Sequence, residues 1–292
     1  MPLVFAGMDM APSLRKIWLD AFPEDGPEDV DFFFSHALNS ESCAAWVQDG
    51  QLVSMVFLLP GELAFSNGRK LDLKYIYAAA TLTEFRGRGI FGNLLTGVHE
   101  LMRGRGVDAC FLRPAQPSLF NYYPRFGYKP YFYNTTQSIE TGRNFEVSGG
   151  GRDISLDASA ESPQKIADLR NRLLKDHSVW VKWPEGLLDL AVLQAKRFGG
   201  TAIPHEKGFA ICEKDGDKVW IREWLCRPGY EAALGRAVAE RFKVSGFELR
   251  RPARPEDINS HVFGMIKPLN NEADHLIDEY KDSLPYMGPA FD

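Results

Sequence analysis

The stretch from Tyr75 to Gly92, YIYAAATLTEFRGRGIFG, decides the reading of this chain. It begins as a strand, runs straight into a glycine-rich turn at Arg86–Gly89, and becomes a helix at Ile90. Gly87 and Gly89 permit a backbone with positive φ and keep side chains out of the turn. The turn's N–H groups and the free N–H groups of the first helical turn then point at one place. Together with the positive helix end they form a site for an anion, with a pyrophosphate as the natural guest. Arg86 and Arg88 add positive charge beside it. The run Ala78-Ala79-Ala80 lets a ligand lie close to the strand backbone.

Outward from this stretch the chain alternates helical and strand patterns. Towards the N-terminus, residues 11–22 and 28–38 carry apolar side chains at helical spacing (Leu14, Ile17, Trp18, Phe22; then Val30, Phe33, Phe34, Leu38). Both helices could carry substrate contacts, but a core-facing stripe is the better reading of their apolar residues. Asp49-Gly50 joins strands over 43–48 and 51–59 as a tight hairpin, and Asn67-Gly68 marks a second reversal before a strand over 71–82. After the glycine turn comes a helix over 90–103, closed by Gly104-Arg105-Gly106. A strand over 107–112, a short helix near 118–123, and strands around 128–133 and 135–140 follow. The composition of 142–152, GRNFEVSGGGR, marks a linker. Beyond it, helices over 162–177, 184–198 and 230–243 and strands over 208–213, 218–226, 246–250 and 261–267 repeat the coarse order of the first half. The length of 292 residues fits two domains, expected at 1–144 and 145–292.

Composition sets outer bounds. The chain is 45% hydrophobic and 25% charged, which suits a folded, soluble protein. With 34 basic and 39 acidic residues the net charge is −5, against general affinity for nucleic acid or an anionic membrane surface. No apolar window is long enough to span a bilayer, and the start, Met1-Pro2-Leu3-Val4-Phe5, does not resemble a signal peptide. The four cysteines, Cys43, Cys110, Cys212 and Cys226, form no C-x-x-C pair. Neither a disulfide framework nor a metal site is expected, and a reducing cytoplasm fits.

The loop Arg86-Gly87-Arg88-Gly89-Ile90-Phe91 resembles the R/Q-x-x-G-x-G/A motif of the GNAT superfamily of acetyl-CoA-dependent N-acetyltransferases. It matches at the first and fourth positions and departs at the sixth, where Phe91 stands beside Gly92. A second family feature, Y-x-x-x-G-F/Y, is matched by Tyr123-Pro124-Arg125-Phe126-Gly127-Tyr128. The resemblance covers residues 10–140. It implies an α+β fold, here two tandem GNAT-like domains, each with a mixed, mostly antiparallel sheet flanked by helices. It also implies a V-shaped opening that takes acetyl-CoA: Ala79, Ala80, Thr81 and Leu82 along the pantetheine arm, and Arg86, Gly87, Arg88, Gly89, Ile90, Phe91 and Gly92 around the pyrophosphate. Tyr123 would protonate the departing thiolate, with Tyr122 next door as the other candidate. The acceptor is then a small-molecule or peptide amine, and no metal is implied.

The amine also needs a base. Asp72 on the strand and Glu84 just after it are the carboxylate candidates, with Tyr75 and Tyr77 the other polar-tipped residues there, and a solvated face is the better reading of Asp72 and Glu84. The second half lacks the loop; after its strand comes Cys226-Arg227-Pro228-Gly229-Tyr230, where Pro228 removes an N–H donor. It reads as a copy that has lost cofactor binding, in an arrangement that resembles the Eis-type acetyltransferases without their third domain. In those proteins the terminal carboxylate serves as base, which makes Asp292 a further candidate. His177, Trp180, Lys182 and Trp183 form a polar-aromatic cluster that either faces a ligand or packs. The same sequence admits three other functions: a non-catalytic acyl-CoA-binding or regulatory module, a nucleotide-phosphate binder, and a dinucleotide-binding oxidoreductase. The last rests on the literal G-x-G-x-x-G of Gly87 to Gly92, but an antiparallel hairpin precedes it where a parallel βαβ unit is required. The oligomeric state stays open.

Overall fold

The computed structural model describes residues 2–140, 162–205, 207–216 and 218–291. The elements in chain order are β1 (Leu3–Phe5), α1 (Ala11–Ala21), α2 (Pro27–Ala37), β2 (Cys43–Gln48), β3 (Gln51–Phe65), β4 (Lys70–Thr81), α3 (Ile90–Gly104), β5 (Ala109–Leu112), β6 (Lys129–Glu140), α4 (Pro163–Leu174), β7 (Val179–Lys182), α5 (Glu185–Arg197), β8 (Thr201–His205), β9 (Gly208–Asp215), β10 (Lys218–Cys226), α6 (Glu231–Phe242), β11 (Gly246–Pro252), β12 (Ser260–Pro268) and α7 (Asn271–Glu279). They divide into two compact units. The first comprises Met1–Leu63, Lys70–Pro130 and Gly264–Glu279; the second comprises Ala64–Arg69, Tyr131–Phe263 and Tyr280–Asp292. The units thus interleave along the chain. The expected cut at 144/145 and the linker composition at 142–152 lie outside the described residues.

In the first unit the strands run in the order β1-β2-β3-β4-β5-β12. The pairs β1/β2, β2/β3 and β5/β12 are antiparallel, and β4/β5 is parallel. Asp49 and Gly50 both have positive φ (51° and 77°), the conformation a two-residue hairpin needs to match strand twist. On α3 the apolar side chains Leu94, Leu95, Val98 and Met102 recur at helical spacing and pack on Val56, Leu58, Ile76, Cys110, Leu112 and Met265 of the sheet. Burying each is worth about 1.5–3 kcal/mol, so this face fixes α3, and with it the glycine turn, against β4. α1 and α2 carry Pro12 and Pro27 in their first turns, where there is no N–H partner to lose.

In the second unit the strand order is β6-β11-β10-β9-β8, antiparallel except for the parallel pair β10/β11. β6 is one unbroken strand where the sequence suggests two, because Asn134 keeps its place in the ladder opposite Pro252. The short strands β7 and β8 carry no alternation long enough to read. The apolar C-terminal segment, where disorder would be usual, is packed. Val181 N–H donates to Tyr286 O (2.8 Å), Tyr286 N–H to Val179 O (3.1 Å) and the Trp183 indole to Met287 O (2.6 Å). The Tyr286 hydroxyl donates to Glu223 (3.0 Å), which holds Arg170 at 3.0 Å, both side chains fully buried. Burial pushes the Glu223 carboxyl up, and the Arg170 guanidinium and Tyr286 hydroxyl draw it back. Trp180 and Trp183 of the polar-aromatic cluster are therefore packing residues, 6% and 3% exposed.

Candidate active site

The parallel pairing of β4 with β5 runs from Leu73 opposite Ala109 to Tyr75 opposite Phe111. Beyond that register β4 kinks at Ala78, which has a φ of 46°. A left-handed residue with a Cβ is strained by about 1–2 kcal/mol. The strain is held by the β3 side of the strand. There the Ser54 hydroxyl donates to Ala80 O (2.8 Å) and lies 2.8 Å from the Thr81 hydroxyl, and Leu82 N–H donates to Val53 O (2.9 Å). Ala79 and Thr81 are half-buried, whereas Ala80 and Leu82 are buried. The end of β4 is thus bound to β3 and turned away from the register it shares with β5.

Thr83–Phe85 then form one turn of 3-10 helix, and Gly87 and Gly89 both take positive φ (75° and 74°). A Cβ at either would meet nothing within 4 Å, so the turn faces open space. Gly89 is the N-cap of α3; no side chain caps the helix and its first turn holds no acidic residue. The first intrahelical bond is Asn93 N–H to Gly89 O (3.0 Å), which leaves the N–H groups of Ile90, Phe91 and Gly92 without helical partners. These donors, at the positive end of a fifteen-residue helix, are what an anion needs.

Arg86 and Arg88 do different work. The Arg86 side chain reaches back, donating from Nε to Thr81 O (2.9 Å) and from Nη2 to Asp20 O (3.4 Å), with the Asp20 carboxylate at 3.5 Å. Asp20 also accepts from Thr83 N–H (2.7 Å) and the Thr83 hydroxyl (2.9 Å). Arg86 and Asp20 therefore brace the turn onto the end of α1. The Arg88 guanidinium lies over the Phe85 ring at 5.2 Å. Gly92 is small for a packing reason, since a Cβ there would come 3.2 Å from the Phe126 ring. Ile90 is buried beneath the turn, and Phe91 stacks on Tyr122 at 6.4 Å.

These last contacts bring the tyrosine turn to the glycine turn. Tyr123–Phe126 form a single 3-10 turn ended by Gly127 at a φ of 84°. The Tyr123 ring lies between Tyr122 (5.5 Å, 79°) and Tyr128 (5.7 Å, 68°) and is 7% exposed. Burial pushes its hydroxyl up to about 12, with Tyr122 adding to the shift, so the proton stays on at neutral pH. Tyr122 is half-buried and raised for the same reason, with Arg125 over its ring at 5.6 Å opposing the shift.

The base candidates separate. Asp72 sits at the other end of β4, where its N–H donates to the Asp108 carboxylate (2.8 Å) and its carbonyl accepts from Asp108 N–H (3.0 Å). At about 3.3 Å per residue that is on the order of 30 Å from Thr81. Tyr75 is buried against Phe111 (4.9 Å) and Tyr77 (5.9 Å). Glu84 is exposed on the 3-10 turn beside the loop. Asp292 lies outside the described residues. On the α1/α2 side, Trp18 and Phe33 pack on Tyr77 (5.9 and 5.2 Å), and the Trp18 indole donates to Asp25 (2.6 Å). The stripes of both helices thus face β4 as core. Among the described residues no three His, Cys, Asp or Glu side chains group as a metal site, and no helix is long and apolar enough to cross a membrane. Sequence reasoning missed Asp20 and Ser54, neither of which carries a local signal, and the kink at Ala78.

Residues 9–131 match the model of the acetyltransferase (GNAT) domain. No curated protein matches the chain. Among solved structures, the fold is similar to that of a probable N-acyltransferase from Enterococcus faecalis V583 (17% identity, TM-score 0.75, covering 93% of this chain and 73% of that one). It is also similar to a GCN5-related N-acetyltransferase from Kribbella flavida (19%, 0.69, 93% and 71%) and to Eis1 from Mycobacterium abscessus (17%, 0.68, 94% and 75%).

Proposed function

We propose that the chain transfers an acetyl group directly from acetyl-CoA to a primary amine, with Tyr123 as general acid. The observation that carries this reading is the open glycine turn on an uncapped α3, packed through Phe91 and Gly92 against the turn that holds Tyr123. The residues present fit the donor. Gly87, Gly89 and the first-turn N–H groups of α3 would hold the pyrophosphate, with Arg88 beside them. The backbone of Ala79 to Leu82 would carry the pantetheine arm on the β4 edge that leaves the β5 register. Acetyl-CoA supplies the thioester. The neutral amine would attack its carbonyl carbon, the C–N bond would form and the C–S bond break, and the proton shed by the amine nitrogen would pass to solvent, from which the Tyr123 phenol is restored. The Tyr123 hydroxyl gives its proton to the leaving sulfur. Burial keeps that proton available and favours the neutral sulfur over a thiolate in the same apolar surroundings.

The second unit is read as a tandem, degenerate GNAT-like copy, on the strength of its helix, hairpin, helix, strand order and its own parallel pair. The unpaired cysteines support a cytoplasmic setting. Following CoA thiol release with acetyl-CoA against aminoglycosides, polyamines, amino acids and peptides tests the function. Turnover with at least one amine is expected. Binding of acetyl-CoA with no turnover on any would instead favour the acyl-CoA-binding module, and NAD(P)H binding without acetyl-CoA binding the oxidoreductase.

A further inference from the structure

Behind Tyr123 lies a buried polar pair that neither the loop nor the proton transfer uses. His99 projects from α3, 5% exposed, and its Nε2 stands 3.0 Å from the hydroxyl of Tyr128, itself 3% exposed. Gly127 turns the chain so that Tyr128 folds back on Tyr123. The Tyr128 N–H donates to Tyr123 O (3.4 Å), and the two rings meet nearly edge to face. The fold leaves little room for that reversal, since a Cβ on Gly127 would come 2.7 Å from Lys267 Nζ. Among the described residues nothing hydrogen-bonds to the Tyr123 hydroxyl, so the direction it points is set by ring packing alone.

The chemistry of the pair is fixed by its surroundings. Burial, with Lys267 and Arg103 adding positive charge, pushes His99 down to about 3. Its ring is neutral and offers one donor and one acceptor. Burial likewise keeps the Tyr128 proton on. One hydrogen bond between the two neutral groups therefore persists across the working pH range. It ties the Tyr128 ring to the helix whose first turn carries the proposed pyrophosphate site. A catalytic group held within about 0.5 Å of its productive position needs such support from residues whose own rotamers are locked.

We propose, resting on Tyr123 as the proton donor, that His99 and Tyr128 are positioning residues. Their hydrogen bond locks the Tyr128 ring, and that ring sets the direction in which Tyr123 presents its hydroxyl. The aligned hydroxyl is thereby referenced to α3, so thioester and acid are located by one element.

A double-mutant cycle on the full chain tests this, with acetyl-CoA and the amine of the panel that turns over fastest. Tyr128→Phe keeps the ring and removes the hydroxyl. It is expected to lower kcat about tenfold while the KM for acetyl-CoA stays within about twofold. His99→Gln, which can still hydrogen-bond, is expected to keep about a third or more of the activity. In a Tyr123→Phe background the same Tyr128→Phe change should add less than about a twofold loss, because residues acting as one unit are not additive. A full further loss in that background, or an unchanged kcat in Tyr128→Phe alone, overturns the positioning role and leaves Tyr123 as acid. An unchanged kcat in Tyr123→Phe overturns the acid assignment and the positioning role together. If Tyr128→Phe does not fold, His99→Leu/Tyr128→Phe removes both polar partners and is read by the same cycle, with the same two outcomes.

Discussion

The two parallel strand pairs of this molecule make the most instructive comparison. In the first unit the β4/β5 register ends at Tyr75 and Phe111, and in the second the β10/β11 register ends at Ile221 and Leu249. In each, the first strand of the pair continues past that point, turns through a glycine, and enters a helix. What differs is where the turn's N–H groups go. After β4 they face open space at the end of an uncapped helix with no acid in its first turn. After β10, Arg227 N–H donates to Lys207 O (2.9 Å), Pro228 has no N–H, and Gly229 N–H donates to the Glu231 carboxylate (2.7 Å). Glu231 puts a fixed negative charge in the first turn of α6, where a phosphate would have to sit. A parallel pair, a glycine turn and a helix thus recur in both units, and on the proposed function the bonding of three or four amides decides which takes the anion.

The second unit's polar centre is structural on this account, and removing half of it should have the largest effect. Arg170→Met leaves Glu223 buried without its cation, which is expected to lower stability by about 3–5 kcal/mol. Arg170→Met/Glu223→Leu should recover much of that, and urea denaturation of the two variants checks it. Next is Tyr123→Phe. It should cut kcat by about a hundredfold, within the range for a lost general acid, and leave the acetyl-CoA Kd nearly unchanged in a binding titration. Smaller again is the paired change Gly89→Ala against Gly229→Ala. A Cβ at Gly89 strains the left-handed turn by about 1–2 kcal/mol and intrudes on the open side, so the acetyl-CoA Kd should rise about tenfold. The same change at Gly229 should leave it untouched. Smallest is a pH effect. The folded hydroxyl of Tyr123 is raised to about 12, so it remains an acid at every pH below that. The kcat profile should show no falling limb from this group up to about pH 10, where an ordinary tyrosine would be half ionised.

Much of the first unit was legible because its signals are local. Helical spacing of Leu94, Leu95, Val98 and Met102, the Asp49-Gly50 turn, and the glycines of the loop each report the conformation of their own neighbourhood. The loop's bracing was not legible, because Asp20 lies on another element and meets Arg86 only in the fold. The kink at Ala78 carries no glycine to announce it, being forced by hydrogen bonds from β3. Likewise, the end of β12 joins the core of the first unit through Met265, with Leu269 just beyond it, far from the rest of that core in sequence. The C-terminal segment is apolar for a terminus, but its partners Val179, Trp183 and Glu223 are set by topology. Of the expected site, the elements were read correctly as strand, turn and helix. The division of labour between Arg86, a brace, and Arg88, which lies over Phe85 beside the proposed anion site, appears only in three dimensions.

The central claim is that only the first unit takes the acyl donor. Isothermal titration of acetyl-CoA into the full chain tests it most directly. The account expects one equivalent bound per chain, lost or weakened by Gly89→Ala and indifferent to Gly229→Ala. No binding heat at any accessible concentration, or two equivalents per chain, would contradict it.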